Sequence, residues 1–224
     1  MSAPCRGLFV TGTDTGVGKT LVACALARRL RARGLDVGAM KPVETGVGPG
    51  GPLDALALRE ATGCRDPLSE ICPQPLALAA APAVAARAEG RRVDLRAIAK
   101  AFRRLAARHE WILVEGAGGL LVPVAPGQSM ADLARSFGLP LLVVARAALG
   151  TINHTLLTLE AAVARGLPVA GVVISHAGGP LSGADAANLA ELRAALGAGL
   201  VGEIPPLAPG APVPDSALDL ASLL

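Results

Sequence analysis

The sequence predicts an α/β protein with a mainly parallel central sheet between two layers of helices. Along its 224 residues, short apolar runs alternate with longer segments of helical periodicity, a pattern typical of parallel strands joined by crossover helices. Several runs, such as Trp111–Val114, are continuously apolar, as strands buried on both faces should be. A glycine-rich turn follows the first apolar run and leads into a helical segment. No linker-like segment divides the chain, so we expect one domain over residues 1–224.

The apolar runs predict six strands, of which the last has the weakest pattern. They cover Gly7–Thr11, Val37–Lys41, Trp111–Glu115, Leu141–Ala145, Val169–Ser175 and Leu200–Ile204. The periodic segments between them predict six helices, and several of these end just before a glycine. The helices cover Lys19–Arg33, Asp54–Ala61, Asp94–Arg108, Met130–Phe137, Thr151–Arg165 and Gly183–Leu196.

Glycine and proline mark the irregular segments. Gly46–Gly51 and Pro73–Pro82 are predicted to be loops at the rim of the sheet. Past Pro205 the chain carries further prolines, which favours an extended tail lying over the surface.

Composition excludes two classes of partner. The formal charge of +3 is not gathered in one basic run and only 2% of residues are aromatic, so we expect no nucleic acid binding. The most apolar stretch, Leu139–Gly150, is interrupted by Arg146 and is well short of the ~20 residues that a membrane span needs. The chain also opens without a signal-peptide pattern, and we therefore expect a cytoplasmic protein that binds no membrane.

The strongest motif is a phosphate-binding loop between the first strand and the first helix. It reads Gly12-Thr13-Asp14-Thr15-Gly16-Val17-Gly18-Lys19-Thr20. Its glycines let backbone N–H groups point inward, Lys19 can reach terminal phosphates, and the Thr20 hydroxyl suits Mg²⁺. The loop is a variant, because Thr13 stands where the first glycine is usual. It predicts a P-loop NTPase-type three-layer α/β/α sandwich that binds a nucleoside triphosphate with Mg²⁺.

Two carboxylates are candidates for the magnesium site. Glu115 ends a central strand and precedes Gly116–Gly119, which we interpret as a flexible turn. Asp54 stands near a predicted helix start. Without the phosphate loop, each would have an ordinary alternative role, Glu115 in capping a neighbouring helix and Asp54 as a helix-entry acid.

Two further segments carry polar groups at strand ends. Lys41 closes the second predicted strand and would face the same crevice as Lys19, although a surface lysine is the alternative. The helix start at Leu149–Asn153 offers free N–H groups suited to a carboxylate. His154, in the same turn, is more typical of a packing residue than of a catalytic one.

Together these motifs resemble the dethiobiotin synthetase family, ATP-dependent ring-closing enzymes of biotin biosynthesis. The resemblance covers nearly the whole chain, and the displaced glycine of the phosphate loop is itself a family feature. It rests on segments 10–15, 17–20, 41–43, 45–46, 54–56, 114–119, 149–154 and 202–205.

The resemblance implies that diaminopelargonate (7,8-diaminononanoate), CO₂ and ATP react to give dethiobiotin, ADP and phosphate in a homodimer with the substrate site at the subunit interface. Mg²⁺ would be held by Thr20, Asp54 and Glu115, and the catalytic groups would be Lys19, Lys41 and Thr15. Nucleotide contacts would come from Gly16, Val17, Gly18, Lys19, Thr20, Leu21, Asp54, Glu115, Gly116, Ala117, Gly118, Ser175, His176, Pro205, Pro206 and Leu207. Substrate contacts would come from Lys41, Thr45, Gly118, Leu149, Gly150, Thr151, Ile152 and Asn153.

Departures from the family pattern concern the nucleotide contacts. Gly16 stands where some members carry Glu, and Ser175-His176 stands where members often present Asn to the adenine edge. We therefore expect weak selectivity for ATP over other triphosphates.

Two other classes share parts of this pattern. A ParA-like regulatory ATPase switch would carry an extra lysine where Asp14 stands, and would bind partners instead of making a metabolite. The amidating domain of cobyrinate-type synthases would need an additional glutamine-hydrolysing module, for which 224 residues leave no room.

Overall fold

The centre of the fold is a six-stranded sheet in a computed structural model that describes residues 6–177, 181–208 and 210–224. Its strands are β1 (Arg6–Gly12), β2 (Val37–Met40), β5 (Trp111–Gly119), β8 (Leu141–Arg146), β9 (Val169–Ser175) and β10 (Leu200–Ile204). They lie in the order β10-β9-β8-β1-β5-β2, and every neighbouring pair is parallel. The predicted α/β fold with a mainly parallel central sheet is confirmed.

Helices and short strands complete the described part of the chain. The helices are α1 (Lys19–Ala32), α2 (Leu53–Thr62), α3 (Leu68–Ile71), α4 (Pro82–Ala88), α5 (Leu95–Arg108), α6 (Met130–Phe137), α7 (Thr151–Ala164) and α8 (Gly183–Leu196). Two small sheets pair β3 (Val43–Thr45) with β4 (Gln74–Leu76) and β6 (Pro123–Ala125) with β7 (Gln128–Ser129). Within the described ranges, no helix has the length and apolar character needed to cross a membrane.

The sheet separates two apolar cores, because successive strand residues point to opposite faces. In β1, Phe9 packs with α5 and α6, whereas Leu8 and Val10 pack with α1 and α2. All three residues are at most 1% exposed. Helices therefore cover both faces, as the continuous apolar runs predicted.

The predicted flexible turn after Glu115 is wrong. β5 continues through Gly116–Gly119, and Gly119 pairs with Gly12 of β1 after a register irregularity. A Cβ at Gly116 would lie 2.9 Å from Cε1 of Phe9, so glycine allows the extended strand to pass the ring. These glycines keep the backbone close to β1 and form no separate turn.

The predicted loop Pro73–Pro82 is wrong in part, because β4 lies within it and α4 begins at its last residue. β3 and β4 are three residues each, too short to show a periodic pattern. They pair in parallel and place β3, with Glu44 and Thr45, beside the carboxyl end of β2.

The predicted surface tail is also wrong for its last residues. Leu218, Leu220 and Leu223 are at most 7% exposed and pack in the core that includes α1. Asp219 N donates to Val201 O at 2.7 Å, so the segment is fixed to β10. The prolines favoured an extended backbone, but the leucines that follow them cover apolar surface at the sheet edge.

The strand order explains where the functional residues meet. β5 lies between β1 and β2, with Val10 opposite Glu115 and Met40 opposite Val114. The phosphate loop after β1, Lys41 after β2 and Glu115 within β5 thus emerge side by side at the carboxyl edge of the sheet, where open α/β sheets bind ligands.

Candidate active site

A pocket of about 320 Å³ lies at this edge of the sheet. It brings together residues from the phosphate loop, the ends of β2 and β5, β3 and the start of α2. Its lining consists of Thr15, Gly16, Gly18, Lys19, Thr20, Lys41, Glu44, Thr45, Asp54, Glu115, Ala117 and Gly118. Apart from Glu44, each of these residues is a site residue that the sequence predicted.

The phosphate loop is shaped by glycines in the left-handed region. Gly16 has φ 72° and Gly18 has φ 96°, backbone conformations that residues with a Cβ rarely adopt. A Cβ at Gly18 would also lie 2.5 Å from Oγ of Ser175, so the loop packs closely against the end of β9. Helix α1 begins at Lys19, and the N–H groups of a helix's first turn have no partner within the helix, so they are available to bind an anion.

Lys19 has one hydrogen-bond partner in this loop. Its Nζ donates to the backbone oxygen of Asp14 at 3.0 Å, and the residue is 7% exposed. Burial, and then repulsion from Lys41, lower the pKa of Lys19 below its ordinary value. A buried ammonium group with a single carbonyl partner is well suited to binding an anion.

Lys41 forms the centre of a buried ionic cluster. Its Nζ lies 2.5 Å from Oε1 of Glu115 and 2.7 Å from Oδ2 of Asp54. Burial alone would lower the pKa of Lys41, but the two carboxylates outweigh it and hold the pKa above its ordinary value. The alternative of a surface lysine is wrong, because Lys41 is 3% exposed.

Thr20 joins the same two carboxylates. Its Oγ1 lies 3.0 Å from Oδ1 of Asp54 and 2.9 Å from Oε1 of Glu115. The second oxygen of Glu115, Oε2, is buried and has no hydrogen-bond partner in the part of the chain that the structure describes. One hydroxyl and two carboxylates beside a phosphate loop are the donors that Mg²⁺ uses when substrate phosphates complete its coordination.

One hydroxyl and two carboxylates fit a magnesium ion that is also coordinated by phosphate and water. Over residues 6–177, 181–208 and 210–224, no three His, Cys, Asp or Glu side chains are grouped so that they could hold a metal ion. Two carboxylates and a hydroxyl leave positions for phosphate oxygens and water.

Glu44 is the pocket residue that sequence reasoning missed. Its two carboxylate oxygens accept hydrogen bonds from the backbone N–H groups of Asp54 and Ala55, each at 3.0 Å. Burial raises the pKa of Glu44. Its position next to Thr45, a predicted site residue, indicated that Glu44 lies near the site. Its hydrogen bonds to backbone N–H groups of a later helix could not be read from the sequence, because no side-chain pattern marks such partners.

Comparisons with known proteins identify the family. A family model described as an AAA domain matches residues 6–212. The ATP-dependent dethiobiotin synthetase BioD of Anaeromyxobacter dehalogenans (strain 2CP-C) is 58% identical over 190 residues, covering 82% of this chain and 85% of that protein. The protein of the same name from Aquifex aeolicus (strain VF5) is 45% identical over 168 residues, with 75% of each chain covered. The chain belongs to the dethiobiotin synthetase family.

Solved structures with much lower identity share its fold. Chloroplast FtsY from Physcomitrella patens superposes with a TM-score of 0.57 at 15% identity, covering 100% of this chain and 66% of that one. The cell division protein FtsY of Thermotoga maritima gives a TM-score of 0.53 at 18% identity, covering 100% and 69%. At these identities the comparison shows a similar fold alone.

Four residues predicted to contact the nucleotide, including Ser175 and His176 at the adenine edge, do not line the main pocket. His176, Pro205 and Pro206 line a second depression of about 370 Å³ together with Glu203 and three residues of the C-terminal segment. His176 Nε2 lies 2.6 Å from Oε1 of Glu203. Ser175 is buried on the side of the phosphate loop, and its Oγ has no hydrogen-bond partner among the described residues.

The remaining predicted nucleotide residues do not line the pocket either. Val17 is fully buried, and Leu21 and Leu207 pack partly buried against the core that includes α1. The backbone oxygen of Gly116 lies 3.5 Å from Nζ of Lys41.

Within a single chain, the residues at the start of α7 do not line the main pocket. Leu149 is 75% exposed, Asn153 is exposed, and Gly150 has φ 87°. Thr151 is buried and Ile152 packs partly buried against the core beneath α8. None of the five residues predicted there lines the phosphate-side pocket.

Proposed function

We propose that this chain catalyses the ATP-dependent carboxylation and ring closure of diaminopelargonate to dethiobiotin, with release of ADP and phosphate. The observation that carries the proposal is a single pocket that collects a phosphate loop, two buried lysines and two carboxylates in a member of the dethiobiotin synthetase family. Because the co-substrate is ATP, we further propose that the reaction takes place in the cytoplasm.

The proposed reaction has three steps. The 7-amino nitrogen attacks CO₂, which forms an N–C bond and releases a proton. A carbamate oxygen then attacks the γ-phosphorus of ATP, and ADP leaves as a mixed carbamic–phosphoric anhydride forms. The neighbouring amine attacks the carbonyl carbon of that anhydride, phosphate leaves, and a second proton is lost as the ring closes. No side-chain nucleophile is needed, so the protein acts through positioning and charge neutralisation.

We assign Lys19 and Lys41 to opposite sides of the transferring phosphoryl group. Both side chains are buried and line the pocket, where positive charge acts more strongly than in water. Lys19, on the phosphate loop, would bind the triphosphate, and Lys41, from the neighbouring strand end, would bind the carbamate and the oxygens that pass between them. Thr15 and Thr45 line the same pocket and would contact the γ-phosphate and the amines, respectively.

We further assign a magnesium site to Thr20, Asp54 and Glu115. The converging oxygens support this assignment, as does Oε2 of Glu115, which has no hydrogen-bond partner within residues 6–177, 181–208 and 210–224. When bound, Mg²⁺ would neutralise phosphate charge and hold the triphosphate for in-line transfer. The chain's own part is to hold the three ligands in a rigid, mostly buried arrangement.

We propose a homodimer in which the start of α7 of one copy binds the distant carboxylate of the diamine in the pocket of the other. The outer face of α7 supports this, because Leu156, Leu157 and Val163 are 40%, 54% and 75% exposed. A groove of about 440 Å³ between α7 and the phosphate loop adds Leu121, which is 50% exposed. Exposed apolar side chains gathered on one face are typical of a protein contact surface.

The nucleotide base should be selected only weakly. Ser175 is buried against the phosphate loop and His176 Nε2 is paired with Glu203. Neither side chain carries the amide group that recognises adenine through two hydrogen bonds. Such a pair discriminates by about 1–3 kcal/mol. We expect kcat/KM for ATP, GTP and CTP to agree within about tenfold. Steady-state kinetics with each triphosphate measures this, and a preference of about a thousandfold for ATP would contradict it.

The proposed function predicts that phosphate release depends on both small substrates. The purified protein should release phosphate from ATP only when diamine and bicarbonate are both present, because the carbamate is the phosphoryl acceptor. With ¹³C-bicarbonate, the labelled carbon should appear in a cyclic urea product detected by mass spectrometry. Withholding each substrate in turn is the control.

The opposite result separates an enzyme from a regulatory switch. If ATP hydrolysis ran at the same rate without the diamine and no labelled product formed, the chain would hydrolyse ATP on its own and the proposed synthesis would be wrong.

A further inference from the structure

Helix α2 carries the metal-ligand candidate Asp54 in its first turn, but it has no cap of its own. The residue at its N-cap position is Pro52, with φ −77° and ψ 94°, and no side chain of the helix start accepts a hydrogen bond there. The N–H groups of the first turn of a helix need acceptors, and Ser, Thr, Asp or Asn usually supplies one from the N-cap.

Glu44 supplies the missing acceptors from β3. Its Oε1 accepts the N–H of Asp54 and its Oε2 accepts the N–H of Ala55, both at 3.0 Å. These are the second and third residues of α2, the positions that an N-cap side chain normally serves. At 6% exposure, Glu44 is shielded from water, which cannot easily replace it as acceptor.

The position of Asp54 depends on this contact. Its side chain is 39% exposed and is held by Lys41 and Thr20 on the pocket side, while its backbone is held by Glu44. Without Glu44, the first turn of α2 would lose its acceptors at the residue whose carboxylate must meet the other two magnesium ligands.

We propose that Glu44 is a positioning residue for the magnesium site: its carboxylate caps α2 and thereby fixes Asp54 toward Thr20 and Glu115. The inference rests on the proposed function for the assignment of Asp54 as a metal ligand. In this role Glu44 acts through the backbone N–H groups of Asp54 and Ala55 and needs no contact with nucleotide or diamine.

The test is metal binding with the helix cap removed and then restored. Mn²⁺ binding to the full chain with ADP, followed by electron paramagnetic resonance, should weaken about tenfold or more in Glu44→Ala. Glu44→Gln should lie between, because the amide retains one acceptor oxygen. Adding Pro52→Ser to Glu44→Ala gives α2 a local cap and should recover most of the affinity. Glu60→Ala, an exposed carboxylate on the same helix, should bind Mn²⁺ like the wild type.

Specific outcomes would overturn the inference. The cap would not position Asp54 if both Glu44 variants bound Mn²⁺ within twofold of wild type. Glu44→Gln keeps the shape of the side chain, and Glu44→Ala is compared where it folds. An unchanged Mn²⁺ affinity with a raised KM for the diamine would instead place Glu44 in contact with substrate. A Glu44→Ala defect that Pro52→Ser leaves in place would contradict the capping role. Because Mn²⁺ binding is measured without diamine or bicarbonate, failure of the proposed synthesis would be seen separately in the phosphate-release assay.

Discussion

Replacing Lys41 with methionine should both lower turnover strongly and destabilise the fold. The ammonium group is the cation between Glu115 and Asp54, at 2.5 and 2.7 Å. Removing one member of a buried ion pair leaves an uncompensated charge, which typically costs about 3–5 kcal/mol of unfolding free energy. Loss of the same group from the phosphoryl-transfer site should lower kcat/KM by about a hundredfold or more. Urea unfolding and steady-state kinetics measure the two effects.

A second substitution separates the two effects. The side chain of Glu115 is 1% exposed, so it bears most of the desolvation when Lys41 is lost, whereas that of Asp54 is 39% exposed and can be solvated. Glu115→Gln should therefore recover much of the stability of Lys41→Met without recovering any activity. The difference between the double variant and the sum of the singles gives the coupling free energy of the pair.

The chain provides a matched control, because it contains one exposed lysine on α5, Lys100. Lys100→Met should change neither unfolding free energy nor kcat/KM measurably. If the unfolding free energy of Lys41→Met lay within about 1 kcal/mol of that of wild type, the ion pair between Lys41 and Glu115 would not stabilise the fold as expected.

This expectation differs from what sequence alone supports for Lys41. A lysine that follows a strand and precedes Pro42 indicates a site residue, and its motif gives no measure of burial. The strand order gives Lys41 a role in stability, because β5 lies between β1 and β2 and brings Glu115 within reach of this lysine, 74 positions earlier in the chain. Sequence therefore predicts the residue but not the free energy that depends on it.

Motifs predict site residues where chemistry requires particular side chains. The phosphate loop, Glu115 and Asp54 belong to this class, because phosphate and Mg²⁺ require N–H groups and oxygens in a restricted set of arrangements. Glu44 belongs to another class. Its partners are backbone N–H groups, which every residue except proline carries, so no side-chain pattern marks them.

The C-terminal segment shows the same limit in the fold. Proline was the dominant local signal, and it describes backbone conformation correctly without indicating which leucines become buried. The buried positions Leu218, Leu220 and Leu223 depend on the apolar surface left open by β10 and α1, a property of the assembled sheet. Local propensity cannot contain that information.

Replacing Lys19 with methionine should lower turnover strongly and leave the fold as stable as before, or more stable. The phosphate loop would lose the cation that reaches the triphosphate, and we expect kcat/KM to fall by about a hundredfold to a thousandfold. The protein loses little, because Lys19 Nζ has one carbonyl partner in the described part of the chain, and burial and repulsion from Lys41 outweigh the attraction of nearby carboxylates. Methionine fills a similar buried volume without the cost of desolvating a charge.

The pH dependence of stability distinguishes this cause from a general packing effect. Because the pKa of Lys19 is lowered below its ordinary value of 10.5, the unfolded chain binds a proton more tightly there than the folded chain does. The unfolding free energy of wild type relative to Lys19→Met should therefore rise as pH increases from below the lowered pKa toward 10.5. Urea unfolding of both proteins across that range measures the difference, and a difference that is flat or falls with pH would contradict the buried, repelled ammonium group.

ATP should raise the melting temperature of wild type and of Lys100→Met but not of Lys19→Met, since the energy of this charge is recovered only when an anion occupies the loop.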